Sequence, residues 1–168
     1  MNPRPRKPKR PSDLLDLTSL EPAQAGSVPP GAVPLTEADR ALVEAAREVL
    51  IKHYRPFWHM VAAALRSRDG HIFTGLHLGA TVGRMSVCAE PIALGRAILE
   101  GDGTAETVVA VRHPKPEESV REIAVVPPCG ACREMLVDFD PEALVIVPAP
   151  GGLVKMPVRE LLPLPYRR

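Results

Sequence analysis

Leu42, Val43, Ala46, Val49 and Leu50 recur at helical spacing, one apolar face of a helix that begins at Thr36 and ends before Pro56. Thr36-Glu37-Ala38-Asp39 reads as a capping box at its start, the threonine oxygen facing free backbone amides. The small apolar run from His59 to Leu65 predicts a strand, Asp69-Gly70 a hairpin turn, and His71 to Leu78 the returning strand. Ala89, Ile92, Ala93 and Ala97 then mark a helix over 88–100, closed by Gly101. Thr107 to Val111 is a buried-type strand, 113–120 a surface loop, and Ile123 to Val126 a short extended run that feeds a second helix over 129–138. Leu144 to Val147 and Leu153 to Met156 predict two last strands around Pro150-Gly151-Gly152, before a short helix over 158–162. Strands interleaved with helices predict an α/β protein, a three-layer α/β/α sandwich around a mixed five-stranded sheet.

The N-terminal segment lacks this periodicity. Residues 1–34 hold eight of the twenty prolines, and the first ten residues carry five basic side chains and no acid. Proline removes backbone donors, so the expected division is a Pro-rich, basic, flexible leader over 1–34 and one folded domain over 35–168. The net charge of +1 leaves −4 for the chain after residue 10. An acidic body disfavours nucleic acid as partner. No apolar run approaches the ~20 residues of a membrane helix. The basic start is not followed by the apolar segment of a secretory signal. The expected location is the cytoplasm.

The three cysteines change this picture from fold to chemistry. Cys129 and Cys132 stand three apart on the first turn of a predicted helix, so their sulfurs share a face. Cys88 comes from a second element, also at a predicted helix start, with Glu90 two residues beyond. Metal-type spacing suits a reducing compartment better than a disulfide framework. Three thiolates leave one corner of a zinc tetrahedron empty, as in catalytic zinc sites that keep a place for water. The competing reading is a closed structural site with His77 or His59 as fourth ligand. Glu90 read alone is a favourable anion in a helix's first turn.

Cys88-Ala89-Glu90 followed by Pro128-Cys129-Gly130-Ala131-Cys132-Arg133 is the thiolate form of the zinc-deaminase signature. With Val61-Ala62-Ala63-Ala64-Leu65, Ile72-Phe73-Thr74-Gly75 and Val158-Arg159-Glu160-Leu161-Leu162-Pro163, the chain from about Ala45 onward resembles the cytidine deaminase superfamily, in its small bacterial-type cytidine deaminase and blasticidin-S deaminase branches. The resemblance implies a cytidine-deaminase-like fold and a zinc-dependent hydrolase of C–N bonds in cyclic amidines. It implies a small-molecule substrate: a cytosine nucleoside or nucleoside-like compound converted to its uracil form with release of ammonia. The alternatives are a blasticidin-S-type antibiotic, another amino-heterocycle, a nucleic acid, or a non-catalytic zinc protein. In this reading Cys88, Cys129 and Cys132 hold Zn2+ and Glu90 is the catalytic proton carrier. His77, His59, Ala89 and Tyr166 fall at substrate-contacting positions, and the protein is a homotetramer.

The chain departs from that family in readable places. Many cytidine deaminases carry an arginine straight after the catalytic glutamate; here it is Pro91. Arg133, Arg84 and Arg96 are then the candidates to offset thiolate charge, Arg133 by a hydrogen bond to a sulfur. The asparagine and glutamate with which the family holds sugar hydroxyls align with His77 and Gly79, and the usual aromatic near the pyrimidine aligns with His59. These departures imply that plain cytidine is a poor substrate, or one among several. Only Pro150-Gly151-Gly152 separates the last two strands, a hairpin that resembles the nucleoside-type branches and not the nucleic-acid-editing ones.

Overall fold

The structure is a computed structural model and describes residues 29–166. Its elements are β1 (Val33–Pro34), α1 (Glu37–His53), β2 (Val61–Arg66), β3 (Ile72–Leu76), α2 (Ala89–Glu100), β4 (Thr107–Arg112), β5 (Ala124–Val126), α3 (Gly130–Phe139), β6 (Leu144–Ala149) and β7 (Gly152–Pro157), with short 3-10 turns at Gly83–Met85 and Val158–Leu161.

The strands form one mixed sheet in the order β1-β7-β6-β4-β2-β3, with β5 attached to β4. Only β4 and β6 run parallel; every other pair is antiparallel. The five expected strands form its body, and the sheet has seven because two short strands join it. One is β5, where the expected extended run pairs Ala110 with Val126 and Arg112 with Ala124. It occupies the edge of β4 beyond the two residues, Thr107 and Val108, that pair with β6. The other is β1, where Val33 and Pro34 pair with Lys155 and Val154 of β7. β1 lies inside the segment expected to be leader, so the folded part begins before residue 35. A proline fits there because an edge strand can lack a donor. The remainder of the expected leader, residues 1–28, lies outside the described residues.

Alternation along β2 sets the layers. Ala62 and Ala64 pack with Leu42, Val43, Ala46 and Leu50 of α1, while Ala63 and Leu65 pack with Ala89, Ala93, Ala97 and Leu136 of α2 and α3. Helices therefore cover both faces of the sheet. β6 and β7 form the expected hairpin, closed by the Ala149–Gly152 pair, with Gly151 at φ 86° in the left-handed region that glycine adopts freely.

The capping box forms and does more than cap. Asp39 accepts the Thr36 amide at 2.8 Å while Thr36 Oγ1 accepts the Asp39 amide at 3.3 Å. The Asp39 side chain is fully buried and also meets Arg66 of β2 at 2.9 Å and Lys155 of β7 at 2.7 Å. Arg66 donates onward to Glu106 at 2.6 Å and to Thr107 at 3.1 Å. One carboxylate thus ties α1 to two strands. Burial alone would raise the Asp39 pKa, but Lys155, the Thr36 amide and Arg66 outweigh it and hold the carboxyl far below its ordinary value.

A depressed carboxyl contributes stability that is present above the unfolded-state pKa of ~3.9 and is lost as pH falls through the folded-state value. Asp39→Asn removes one member of a buried ionic group, which costs about 3–5 kcal/mol. The stability difference between wild type and Asp39→Asn, measured by chemical denaturation, should be full at neutral pH and shrink below ~pH 4.

Candidate active site

Two chain segments deliver the thiols. β3 continues past Leu76 through the 3-10 turn into α2, and Leu78 bridges Val87, one residue before Cys88. β5 ends at Val126, and Pro127-Pro128 leads into α3. Cys88 is the N-cap of α2 and Cys129 the N-cap of α3, and neither side chain caps its own helix. An N-cap usually spends its side chain on a free helical amide. Here the two N-cap sulfurs lie side by side, 3.6 Å apart.

The Cys88 and Cys129 sulfurs lie 3.6 Å apart, Cys129 and Cys132 lie 3.5 Å apart, and all three fall within 4.8 Å of one another. A tetrahedral ion about 2.3 Å from each sulfur sets neighbouring sulfurs roughly 3.8 Å apart. The triangle fits zinc. Burial pushes Cys88 and Cys132 up, with Cys129 and Glu90 adding to the effect in both. Burial also opposes ionisation of Cys129, but the Cys132 amide and the two neighbouring thiols bring it below its ordinary value. A divalent cation bound by the sulfurs would favour the thiolate form of all three.

Glu90 lies in the first turn of α2 and is 5% exposed. Burial raises its carboxyl, opposed by its own backbone amide and by the Cys132 thiol. A carboxyl moved upward toward neutrality beside a metal-type cluster suits acid–base work.

The expected histidines come together at one edge of this region. His59 Nδ1 donates to the His77 carbonyl at 2.9 Å, and the His77 amide donates to Val61 at 2.8 Å. A side chain at Gly75 would collide with the Ala89 carbonyl and the Ala93 amide of α2, so glycine there permits close approach of helix and strand. Residue 77, two further along, faces the same side, toward the N-terminal end of α2. His77 Nδ1 is buried and has no hydrogen-bond partner among the described residues. Burial, with His59 nearby, lowers its pKa. Ala89 is fully buried in the core. Its methyl group packs there, and its carbonyl lies against Gly75 of β3.

Tyr166 lies elsewhere. It is exposed, its amide donates to Glu134 at 3.1 Å, and it lines a groove with Val137, Asp138 and Phe139 on α3, not the cluster of its own chain. Arg133 does not approach a sulfur as expected: its guanidinium donates to the Pro128 carbonyl at 2.9 Å and the Leu161 carbonyl at 3.1 Å. It fastens the turn before Cys129 to the C-terminal segment. Arg96 is committed to Glu100 and to the Thr74 carbonyl, and Arg84 is exposed in the 3-10 turn.

The sequence reading did not register the turn over 55–59. Arg55 bridges His59, the Gly79 amide donates to the Trp58 carbonyl at 2.7 Å, and Phe57 has φ 66°. A left-handed aromatic residue is a genuine backbone outlier. Nothing in the local sequence announces it, since Phe57 is neither Gly nor Asn.

Three thiols that fit zinc are held at two helix N-termini beside a buried carboxyl. Residues 36–148 match the family described as the cytidine and deoxycytidylate deaminase zinc-binding region, and the chain belongs to that family of zinc-dependent hydrolases acting on C–N bonds. It is 43% identical over 134 residues to a blasticidin-S deaminase of Bacillus cereus, an alignment covering 80% of this chain and 96% of that protein. It is 31% identical over 120 residues to a cytidine deaminase of Halalkalibacterium halodurans, covering 70% and 83%. Its fold matches the crystal structure of a cytidine deaminase from Burkholderia pseudomallei with a TM-score of 0.61 at 28% identity, over 79% of this chain and all of that one.

Because the cluster joins the starts of α2 and α3, zinc binding is partly folding free energy. Cys132→Ala should lower zinc content and melting temperature together, and chelation of the wild type should lower melting in the same direction. One zinc per chain with unchanged melting in the variant would remove Cys132 from the ligand set.

Proposed function

We propose that the chain hydrolytically deaminates the cytosine ring of a nucleoside-like small molecule, with Cys88, Cys129 and Cys132 holding zinc and Glu90 carrying the proton. The observation behind this reading is the triangle of sulfurs at two helix N-termini with a buried carboxyl on the first turn of α2. Zinc held there supplies a Lewis acid that lowers the pKa of water from 15.7 toward ~7. Glu90 takes a proton from the attacking water on a carboxylate oxygen, delivers it to the ring nitrogen beside the amine-bearing carbon, and passes a second proton, taken from the hydroxyl now on that carbon, to the departing amine. Water replaces the amine, and ammonia leaves. The His77 ring, whose Nδ1 has no hydrogen-bond partner among the described residues, offers a hydrogen-bonding position for the part of the substrate away from the reacting amine.

The blasticidin-S deaminase relative and the glycine at position 79 favour a substrate other than plain cytidine. A site with no side chain at 79 lacks one partner with which to read a hydroxyl, and it discriminates less on that hydroxyl. Among the described residues no helix is long and apolar enough to cross a membrane, and the proposed setting is the cytoplasm. The proposed assembly is a homotetramer: Tyr166, away from its own chain's cluster, is then placed to serve a neighbouring subunit's site.

Glu90→Gln keeps shape and removes basicity. It should retain zinc and fold while kcat falls by about 10²–10⁴-fold. A zinc-loaded variant with wild-type kcat would end this mechanism.

Ammonia release from cytidine, deoxycytidine, blasticidin S, free cytosine and a cytosine-containing oligonucleotide separates the substrate readings. The expected order puts blasticidin S or another altered nucleoside ahead of cytidine in kcat/KM, with no turnover of the oligonucleotide. Cytidine far ahead of the rest would assign the sugar contacts to other residues.

A further inference from the structure

A groove of about 1260 Å³ runs between α3 and the C-terminal segment. Glu134, Asp138 and Phe139 line it from α3, and Glu160, Leu162 and Pro163 from the C-terminal segment. Phe139 is 60% exposed, an aromatic side chain with water over most of its surface. Glu134, Asp138 and Glu160 meet no basic side chain among the described residues, and the one arginine in the lining, Arg159, is paired with Glu142. The groove thus offers an apolar strip with three unmatched negative charges. A second groove, beside α1, differs: its acids are accompanied by Arg47 and Arg121 in the same lining.

The chain enters the described structure next to the first groove. β1 runs antiparallel to β7 with Val33 opposite Lys155, so the residues before Val33 lie toward Pro157. A turn closed by the Ala32 amide on the Pro29 carbonyl at 3.1 Å holds Gly31 there at φ 78°, and a Cβ on Gly31 would stand 3.8 Å from the Pro157 ring. Ala32 packs against the core cluster that includes Val158 and Leu161. The 3-10 turn Val158–Leu161, which begins straight after Pro157, carries Arg159 and Glu160 into the groove lining.

The sequence ahead of that entry point is complementary to the groove. Residues 3–11 hold Arg4, Arg6, Lys7, Lys9 and Arg10 and no acid, set among prolines. Pro5, Pro8 and Pro11 recur every third residue, the period that returns side chains to one edge of a polyproline II helix. Such edges dock on aromatic-lined grooves at low entropic cost, because proline already fixes φ. Residues 12–28 can span about 50 Å at ~3.1 Å per residue, enough to reach a groove that begins beside their own entry point.

We propose that residues 3–11 dock in this groove of their own chain, the prolines on Phe139, Leu162 and Pro163 and the basic side chains on Glu134, Asp138 and Glu160. Exposed ion pairs are individually weak, but a short connection makes the contact intramolecular and its effective concentration high. The docked segment joins the N-terminal part of the chain to α3 and to the C-terminal segment.

The test uses the full-length, zinc-loaded protein. Trypsin can cut within this segment after Arg6 and after Lys9, since the other basic residues precede proline. Cleavage there, followed by mass, should be slower by about fivefold or more than in a synthetic peptide of residues 1–14. Most of that protection should disappear in the double variant Asp138→Asn/Glu160→Gln, at two exposed positions, and at roughly 0.5 M salt, each compared with the peptide in the same buffer. A carbodiimide, which joins an amine to a carboxylate in contact with it, should link Lys7 or Lys9 to Glu134, Asp138 or Glu160. When 15N-labelled and unlabelled chains are unfolded together and refolded with zinc, those links should join only peptides of equal label. Cleavage at the peptide's rate, protection that survives both the double variant and salt, or links to carboxylates outside the groove would overturn the proposal. Links between labelled and unlabelled peptides would overturn it as well, and would give the groove to a second copy of the chain.

Discussion

Negative charge concentrated at two helix N-termini is the constraint on which this structure turns. Three thiols and a carboxyl lie together in a partly buried place, and no arginine or lysine among the described residues donates to a sulfur. The positive charge must come from the N-terminal ends of α2 and α3 and from the metal. That requires both helices to begin at one point. The antiparallel β2–β3 hairpin brings α2 there through Leu78 and Val87, and β5 brings α3 there by pairing with the end of β4. If β5 did not take the edge of β4 beyond Val108, Cys129 would have no fixed relation to Cys88.

The structure supports this convergence from a distance. Gly75 lets α2 settle onto the sheet next to Ala89 and Ala93, which fixes the height of Cys88 and Glu90 above β3. Arg133 binds the carbonyl just before Cys129 and the carbonyl of Leu161, joining the start of α3 to the C-terminal segment. On the opposite face, Asp39 draws α1, β2 and β7 together through Arg66 and Lys155. None of these groups touches a sulfur. Each removes a way for the two helix starts to drift apart, and a metal triangle with edges near 3.5 Å tolerates little drift.

What could be read from the chain divides by distance along it. The Thr36–Asp39 cap, the Gly151 turn and the Cys129–Cys132 pair depend on neighbours within four residues, and their residue types announce them. The pairing of Val33 with Lys155 depends on a partner more than one hundred positions away, so nothing near Val33 signals it. Asp39 shows both sides: its spacing from Thr36 marks a cap, while Arg66 and Lys155, its other partners, become neighbours only in the folded sheet. Arg133 follows the same logic. Its position beside Cys132 suggests a sulfur contact, but the helix turns its side chain toward carbonyls at the helix start and the C-terminal segment.

The turn over 55–59 is the hardest part of the fold to foresee. An aromatic residue in the left-handed region costs on the order of 1–3 kcal/mol, and such strain persists only where surrounding contacts over-determine it. Here the contacts are the Trp58 carbonyl on the Gly79 amide, His59 on the His77 carbonyl, and the absence of a side chain at 79. Local strain and a distant glycine are therefore one feature. A larger residue at 79 would push the turn away from the strand, and a relaxed Phe57 would move Trp58 off Gly79. Backbone packing therefore sets where the turn lies relative to the strand that leads to Cys88.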